Sequence, residues 1–221
     1  MIISELINHD IPILKPTDSV GRALNWMEEN HINQLIVADS EKYIGIVDEE
    51  LLDEYEEELP LAHVMMQYSE IYLFDSQHIY QALAYLSKYQ LKIIGVLDEN
   101  QRFVGVVTAT EIYNKFSELL GTQENGAILV ISIKNRDYSL AEISRLIEIE
   151  NAKIISSYFS ENFQLDNHES FLTLKLNTTN ISPIVNTLER FGYSIASAYA
   201  HQPIENIEQE RYDLLMRYLS I

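Results

Sequence analysis

Thr108-Ala109-Thr110-Glu111 places a hydroxyl and a carboxylate three residues apart, after the apolar run Phe103 to Val107 and at the start of a helical pattern. Where a strand runs into a helix, unpaired backbone N–H groups and the positive end of the helix dipole meet, which suits the junction to an anion. The same spacing also spells a capping box, which needs no ligand: the threonine hydroxyl accepts from the amide of Glu111 and the glutamate reaches back to the amide of Thr108. Both readings stand, and they are compatible before a ligand arrives. Sixty positions earlier, Tyr43 to Val47 repeats the strand as an aromatic, a β-branched residue, Gly and two β-branched residues, but Asp48 and Leu51 replace the threonine and the glutamate. Asp48 caps a helix as well as threonine does. It also puts negative charge where an anion would bind, beside Glu49 and Glu50.

Other chemistry has little footing. Cysteine is absent, which removes disulfides, thiolate metal sites and Cys nucleophiles. His9, His31, His63, His78, His168 and His201 are scattered, with no pair at metal-ligand spacing, so no metal is expected. Carboxylates abound, but no nucleophile, phosphate loop or metal cluster accompanies them, and no catalytic residue is assigned. Lys and Arg total 15 against 34 Asp and Glu, a net charge of -19, so the average surface repels nucleic acid. The run Asp48 to Glu58 reads as a solvated acidic face, with a docking surface for a basic partner as the minority reading. No apolar stretch is long enough to cross a bilayer, and the N-terminus lacks a secretory pattern, so a cytoplasmic protein without membrane contact is expected.

The residues at 108 and 48 are positioned by two copies of one unit. Val20, Ala23, Leu24 and Met27 stand at helical spacing behind Asp18, the expected cap, and Ile79, Ala82, Leu83 and Leu86 repeat them 59 positions later. Each helix is followed by an apolar run, a polar turn and a second run: Leu35 to Val37 and Tyr43 to Val47, then Ile93 to Leu97 and Phe103 to Val107. Segments 2–7 and 61–66 give the copies matching starts. A unit this small cannot cover both faces of its sheet, so the copies are expected to pack together about a quasi-twofold axis with a shared cleft.

The order ISELI…PTDSVGRALNWM…LIVAD…YIGIVD, then HVMM…IYQALAYL…IIGVLDENQRFVGVVTATEI, resembles a tandem pair of CBS domains, the Bateman module, over roughly residues 1–120. Repeats are expected over 1–58 and 59–120. The resemblance implies two related clefts that in many members bind adenine nucleotides or adenosyl compounds. It places Thr108 on a phosphate and Glu111 on ribose hydroxyls, in a motif where the family carries Asp; Ile94 and Gly95 would flank the adenine. Ordinary strand packing is the competing reading for those two. With Asp48 and Leu51, the first copy keeps the turn and loses this chemistry. Lys92 is a candidate cation for the second cleft, and Arg102 and Lys115 are the basic residues nearest Thr108 in sequence.

Beyond the linker at 119–126 the pattern changes to strand, helix, two strands, helix and strand. Ser139 with Glu142 forms a capping box ahead of one helix, and Pro183 and Gly192 bound the other. The order βαββαβ is ferredoxin-like. Following a CBS pair it resembles an ACT domain over 127–200, and the three-part order is similar to the AcuB-type acetoin-utilisation proteins. The fold class expected is therefore α+β, a tandem CBS pair followed by a ferredoxin-like ACT-type domain. Asn135, Asp137 and Tyr138 stand where amino-acid-binding ACT domains carry Asp, Pro and Gly, so amino-acid binding is not expected and dimerisation is. Residues 201–221 carry Ile204, Ile207, Leu214, Leu215 and Tyr218 in near-helical register, read as an amphipathic helix docking on its own protein. The expected function is a non-catalytic, homodimeric regulator sensing AMP, ATP or an adenosyl compound on behalf of an unidentified protein partner. The alternative is an interaction module with vestigial pockets.

Overall fold

A computed structural model describes residues 1–133, 139–161 and 170–200 of the chain. It divides into two compact units, Met1–Lys115 and Phe116–Ile221.

The first unit is the duplicated one. In its first half, α1 (Val20–Asn30) leads to β1 (Gln34–Asp39), β2 (Lys42–Asp48) and the single turn α2 (Glu49–Leu52). In its second half, β3 (Tyr72–Phe74) precedes α3 (Ile79–Tyr89), β4 (Ile93–Leu97), β5 (Phe103–Thr108) and the start of α4 (Ala109–Leu119), whose last residues are counted with the second unit. The helices bury Val20, Ala23 and Met27 in one copy and Ile79, Ala82 and Leu86 in the other, the periodic positions read from the sequence. Both helices end on a left-handed residue, His31 and Gln90. Both hairpins carry a register shift at the same place, Val37/Ala38 and Val96/Leu97.

Ser19, not Asp18, caps α1, accepting from the Arg22 amide at 3.2 Å. The Asp18 carboxylate is drawn away from the cap position, accepting from the Lys15 amide at 2.7 Å and from the Arg22 guanidinium at 3.0 Å. On α3 the cap is His78, whose Nδ1 accepts from the Tyr80 amide, with Gln81 completing a capping box. The copies also differ at their first strand. β3 pairs in parallel with β4, whereas its counterpart is reduced to a single bridge, Leu14 to Val37.

The leading segments are exchanged. The Asn8 amide donates to Val106 of the second copy at 2.7 Å, and the Ile46 amide of the first copy donates to Gln67 at 3.0 Å. This exchange accounts for the glycine shared by the two repeated strands. A Cβ at Gly105 would lie 2.5 Å from the Ile7 side chain, and one at Gly45 would lie 2.8 Å from the Gln67 carbonyl oxygen. A larger residue would lift the crossing segment off the strand.

In the second unit, β6 (Ala127–Ile133), α5 (Leu140–Ile149), β7 (Ile154–Glu161), β8 (Ser170–Leu176), α6 (Ser182–Arg190) and β9 (Ser194–Tyr199) follow in βαββαβ order. The strands form one antiparallel sheet in the order β7-β8-β6-β9. Strand alternation buries Leu129, Ile131, Leu172 and Leu174 under α5 and α6, which contribute Ile143, Leu146, Ile184 and Leu188. Ser139 caps α5, accepting from the Glu142 amide at 3.3 Å, while the Glu142 carboxylate accepts from the Tyr193 hydroxyl at 2.7 Å. Pro183 lies in the first turn of α6. Asn135, Asp137, Tyr138 and the segment 201–221 lie outside the described residues. Among the described residues, no helix is long and apolar enough to cross a membrane.

Candidate functional site

Thr108 ends β5 and opens α4, and its environment is a cleft of about 770 Å³ bordered by Asn8, His31, Lys92, Ile93 and Glu111. Both halves of the capping box are made. The Thr108 hydroxyl accepts from the Glu111 amide at 3.2 Å, and the Glu111 carboxylate accepts from the Thr108 amide at 2.8 Å. The same carboxylate oxygen, Oε2, accepts from the Thr108 hydroxyl at 3.0 Å, and Oε1 accepts from the Asn8 carboxamide. The threonine has one hydroxyl proton, and it is directed at Glu111, so donation to a phosphate requires that proton to turn away.

Of the basic side chains, Lys92 borders this cleft, and the His31 imidazole borders it from the end of α1. Arg102 is committed elsewhere: its guanidinium meets Asp98 at 2.7 Å. The Arg102 backbone N–H, followed by its side chain, helps to hold the Asp98 carboxyl below the usual carboxylate range. Lys115 is not among the residues bordering the cleft.

Of the four residues read as ligand contacts, the structure brings Thr108 and Glu111 together and places the other two apart. Ile93 borders the cleft, whereas Ile94 is fully buried and Gly95 backs onto Tyr43. A Cβ at Gly95 would stand 2.6 Å from the Tyr43 ring, so the glycine makes room for that ring. Tyr43 itself stacks on its repeat counterpart Phe103, with centroids 6.3 Å apart, and its hydroxyl donates to the carbonyls of Tyr68 and Ile71.

The quasi-equivalent cleft of the first copy, about 570 Å³, is bordered by Asp48, Glu49, Glu50, Glu54, Gln67 and, again, Lys92. Asp48 caps α2 by accepting from the Leu51 amide at 2.9 Å, and Leu51 offers no carboxylate to reach back. The rest of the acidic run anchors itself through Leu52 and Tyr55 while its glutamates face solvent. The two clefts share a floor, where the Gln34 side chain accepts from the Lys92 amide at 2.7 Å. Asn8 and His31 were not identified from sequence as lining residues. Asn8 reaches the cleft only through a pairing with Val106 far along the chain, for which no local signal exists.

Known proteins similar to this chain share its duplicated unit. Inosine-5'-monophosphate dehydrogenase of Methanocaldococcus jannaschii is 22% identical over 186 residues, 83% of this chain, and the chain spans 38% of that enzyme's length. The crystal structure of a CBS domain pair/ACT domain protein from Thermotoga maritima superposes with a TM-score of 0.50 at 22% identity, covering 54% of this chain and 99% of that one. CBSX2 in complex with AMP gives a TM-score of 0.46 at 18% identity, with 53% of this chain and 96% of that chain covered; its source is Arabidopsis thaliana. The CBS domain model matches residues 3–55 and 61–118, and with the duplicated fold and its paired clefts this shows that the chain belongs to the CBS domain family.

Proposed function

We propose that the protein is a non-catalytic regulator whose second CBS cleft senses an adenosine-containing ligand, AMP, ATP or an adenosyl compound. The observation that carries this reading is the asymmetry of the two clefts. Lys92 borders both clefts, but Glu111 and Thr108 meet at the mouth of α4 with His31 bordering their cleft, whereas the four carboxylates Asp48, Glu49, Glu50 and Glu54 border the equivalent one and Leu51 stands in place of Glu111. A phosphate is favoured by the first setting and repelled by the second.

The second unit is read as an ACT-type, ferredoxin-like domain, supported by its βαββαβ order and its sheet order β7-β8-β6-β9. Together with the CBS pair this gives the AcuB-type arrangement. Its role is assembly of a homodimer: the sheet face away from the helices carries Ile128, Tyr158 and Tyr199 exposed, apolar surface suited to a symmetric contact. Light scattering at tens of micromolar is expected to give the dimer mass, and a monomer mass counts against this role.

The ligand reading is tested by thermal melts with AMP, ATP and S-adenosylmethionine, since a ligand that binds only the folded state raises the midpoint in a saturable way. Saturable stabilisation by at least one supports sensing. The second reading, an interaction module with vestigial pockets, has one observation in its favour: every hydrogen bond of the Thr108–Glu111 cap is made internally. It expects no shift with any of the three.

A further inference from the structure

We infer that Asn8 is a ligand-reading residue, forming with Glu111 a donor–acceptor pair that selects a ribose carrying both hydroxyls. The inference rests on the nucleotide reading above and follows from counting hydrogen-bond capacity around the Glu111 carboxylate. While the Thr108 proton stays on Glu111, Oε2 accepts from the Thr108 amide and the Thr108 hydroxyl, which uses its two lone pairs. Oε1 accepts from the Asn8 carboxamide N–H, which leaves one lone pair. The Asn8 carboxamide is itself oriented: its Oδ1 accepts from the Asp10 amide at 2.7 Å and the Ile11 amide at 3.2 Å, so its nitrogen is the atom turned to Glu111. That nitrogen has two protons and spends one on Oε1.

One acceptor site and one donor therefore stand on adjacent atoms of two residues that both border the cleft. A vicinal diol is complementary to them, with one hydroxyl donating to Glu111 Oε1 and the other accepting from Asn8 Nδ2. A sugar lacking either hydroxyl leaves one of the pair unmatched. Asn8 is delivered to this place by the exchanged leading segment, held by its amide on Val106 and by the room that Gly105 leaves for Ile7. The first copy has no such pair. Gln67 occupies the position of Asn8 in the crossing segment, and Leu51 replaces Glu111.

The test titrates AMP, 2'-deoxy-AMP and 3'-deoxy-AMP into the full-length protein and into Asn8→Ala and Asn8→Asp. In the wild type, removal of either hydroxyl is expected to weaken binding roughly tenfold. In Asn8→Ala, AMP is expected to weaken by roughly tenfold while the 3'-deoxy or 2'-deoxy analogue that lacks the Asn8 partner is unchanged, so that ratio falls to about one. Asn8→Asp keeps the acceptor for the Asp10 and Ile11 amides, removes the donor and sets a second carboxylate against Glu111, so it should lose the same ratio and weaken AMP at least as much as Asn8→Ala. AMP binding with wild-type hydroxyl discrimination in both variants overturns the role of Asn8 and leaves the nucleotide reading intact. No binding of any of the three by the wild type at millimolar concentration overturns both.

Discussion

Thr108 and Glu111 cap one another: the hydroxyl accepts from the Glu111 amide at 3.2 Å while the carboxylate accepts from the Thr108 amide at 2.8 Å. The groups proposed to meet a nucleotide are therefore also the groups that start α4. Thr108→Ala is expected to lose about 1 kcal/mol of stability without any ligand. Urea denaturation of the ligand-free protein measures this. An unchanged midpoint would mean that the cap does not contribute to folding.

Gly95 offers a sharper separation of packing from binding. Because its missing side chain makes room for the Tyr43 ring, Gly95→Ala is expected to cost about 1–3 kcal/mol through overpacking, with nucleotide affinity unchanged in the folded fraction. Denaturation and titration of the same variant decide the matter. Lost affinity at full stability would return Gly95 to the adenine-flanking role its position in the family suggests.

Tyr43 is expected to matter through its hydroxyl as well as its ring. Tyr43→Phe strands the Tyr68 and Ile71 carbonyls and should destabilise the protein by about 1–3 kcal/mol. Burial lifts the Tyr43 phenol well above its ordinary range, so the folded state keeps it neutral where an unfolded chain, with a pKa of about 10, ionises it. Its contribution is then fully present below pH ~10 and is lost as the pH rises beyond that. Melts from pH 8 to 11 should fall more steeply for the wild type than for Tyr43→Phe. Parallel profiles would show that the phenol ionises equally well in both states.

The duplicated frame is legible in the sequence because its signals are local and periodic. Val20, Ala23 and Met27 mark a buried helical face, and the 59-residue offset to Ile79, Ala82 and Leu86 marks its copy. Asp18 and Ser19 are both good caps for α1, and only the pull of Lys15 and Arg22 on Asp18, which no local pattern announces, decides for Ser19. On β4 every residue is buried, so no alternation tells which side chain faces the cleft; Ile93 does and Ile94 does not. The contribution of Asn8 was illegible for a different reason. It depends on the leading segment crossing to Val106, and a single bridge between distant residues leaves no pattern in either segment.

One cleft of the pair is proposed to bind nucleotide and the other to stay empty of it. Calorimetric titration of AMP into the wild type, Glu111→Ala and Asp48→Ala tests it most directly. One site per chain is expected, weakened by about 1 to 3 kcal/mol, or roughly tenfold to a hundredfold, in Glu111→Ala and nearly unchanged in Asp48→Ala. Two sites per chain, or equal affinity in the wild type and Glu111→Ala, would contradict it.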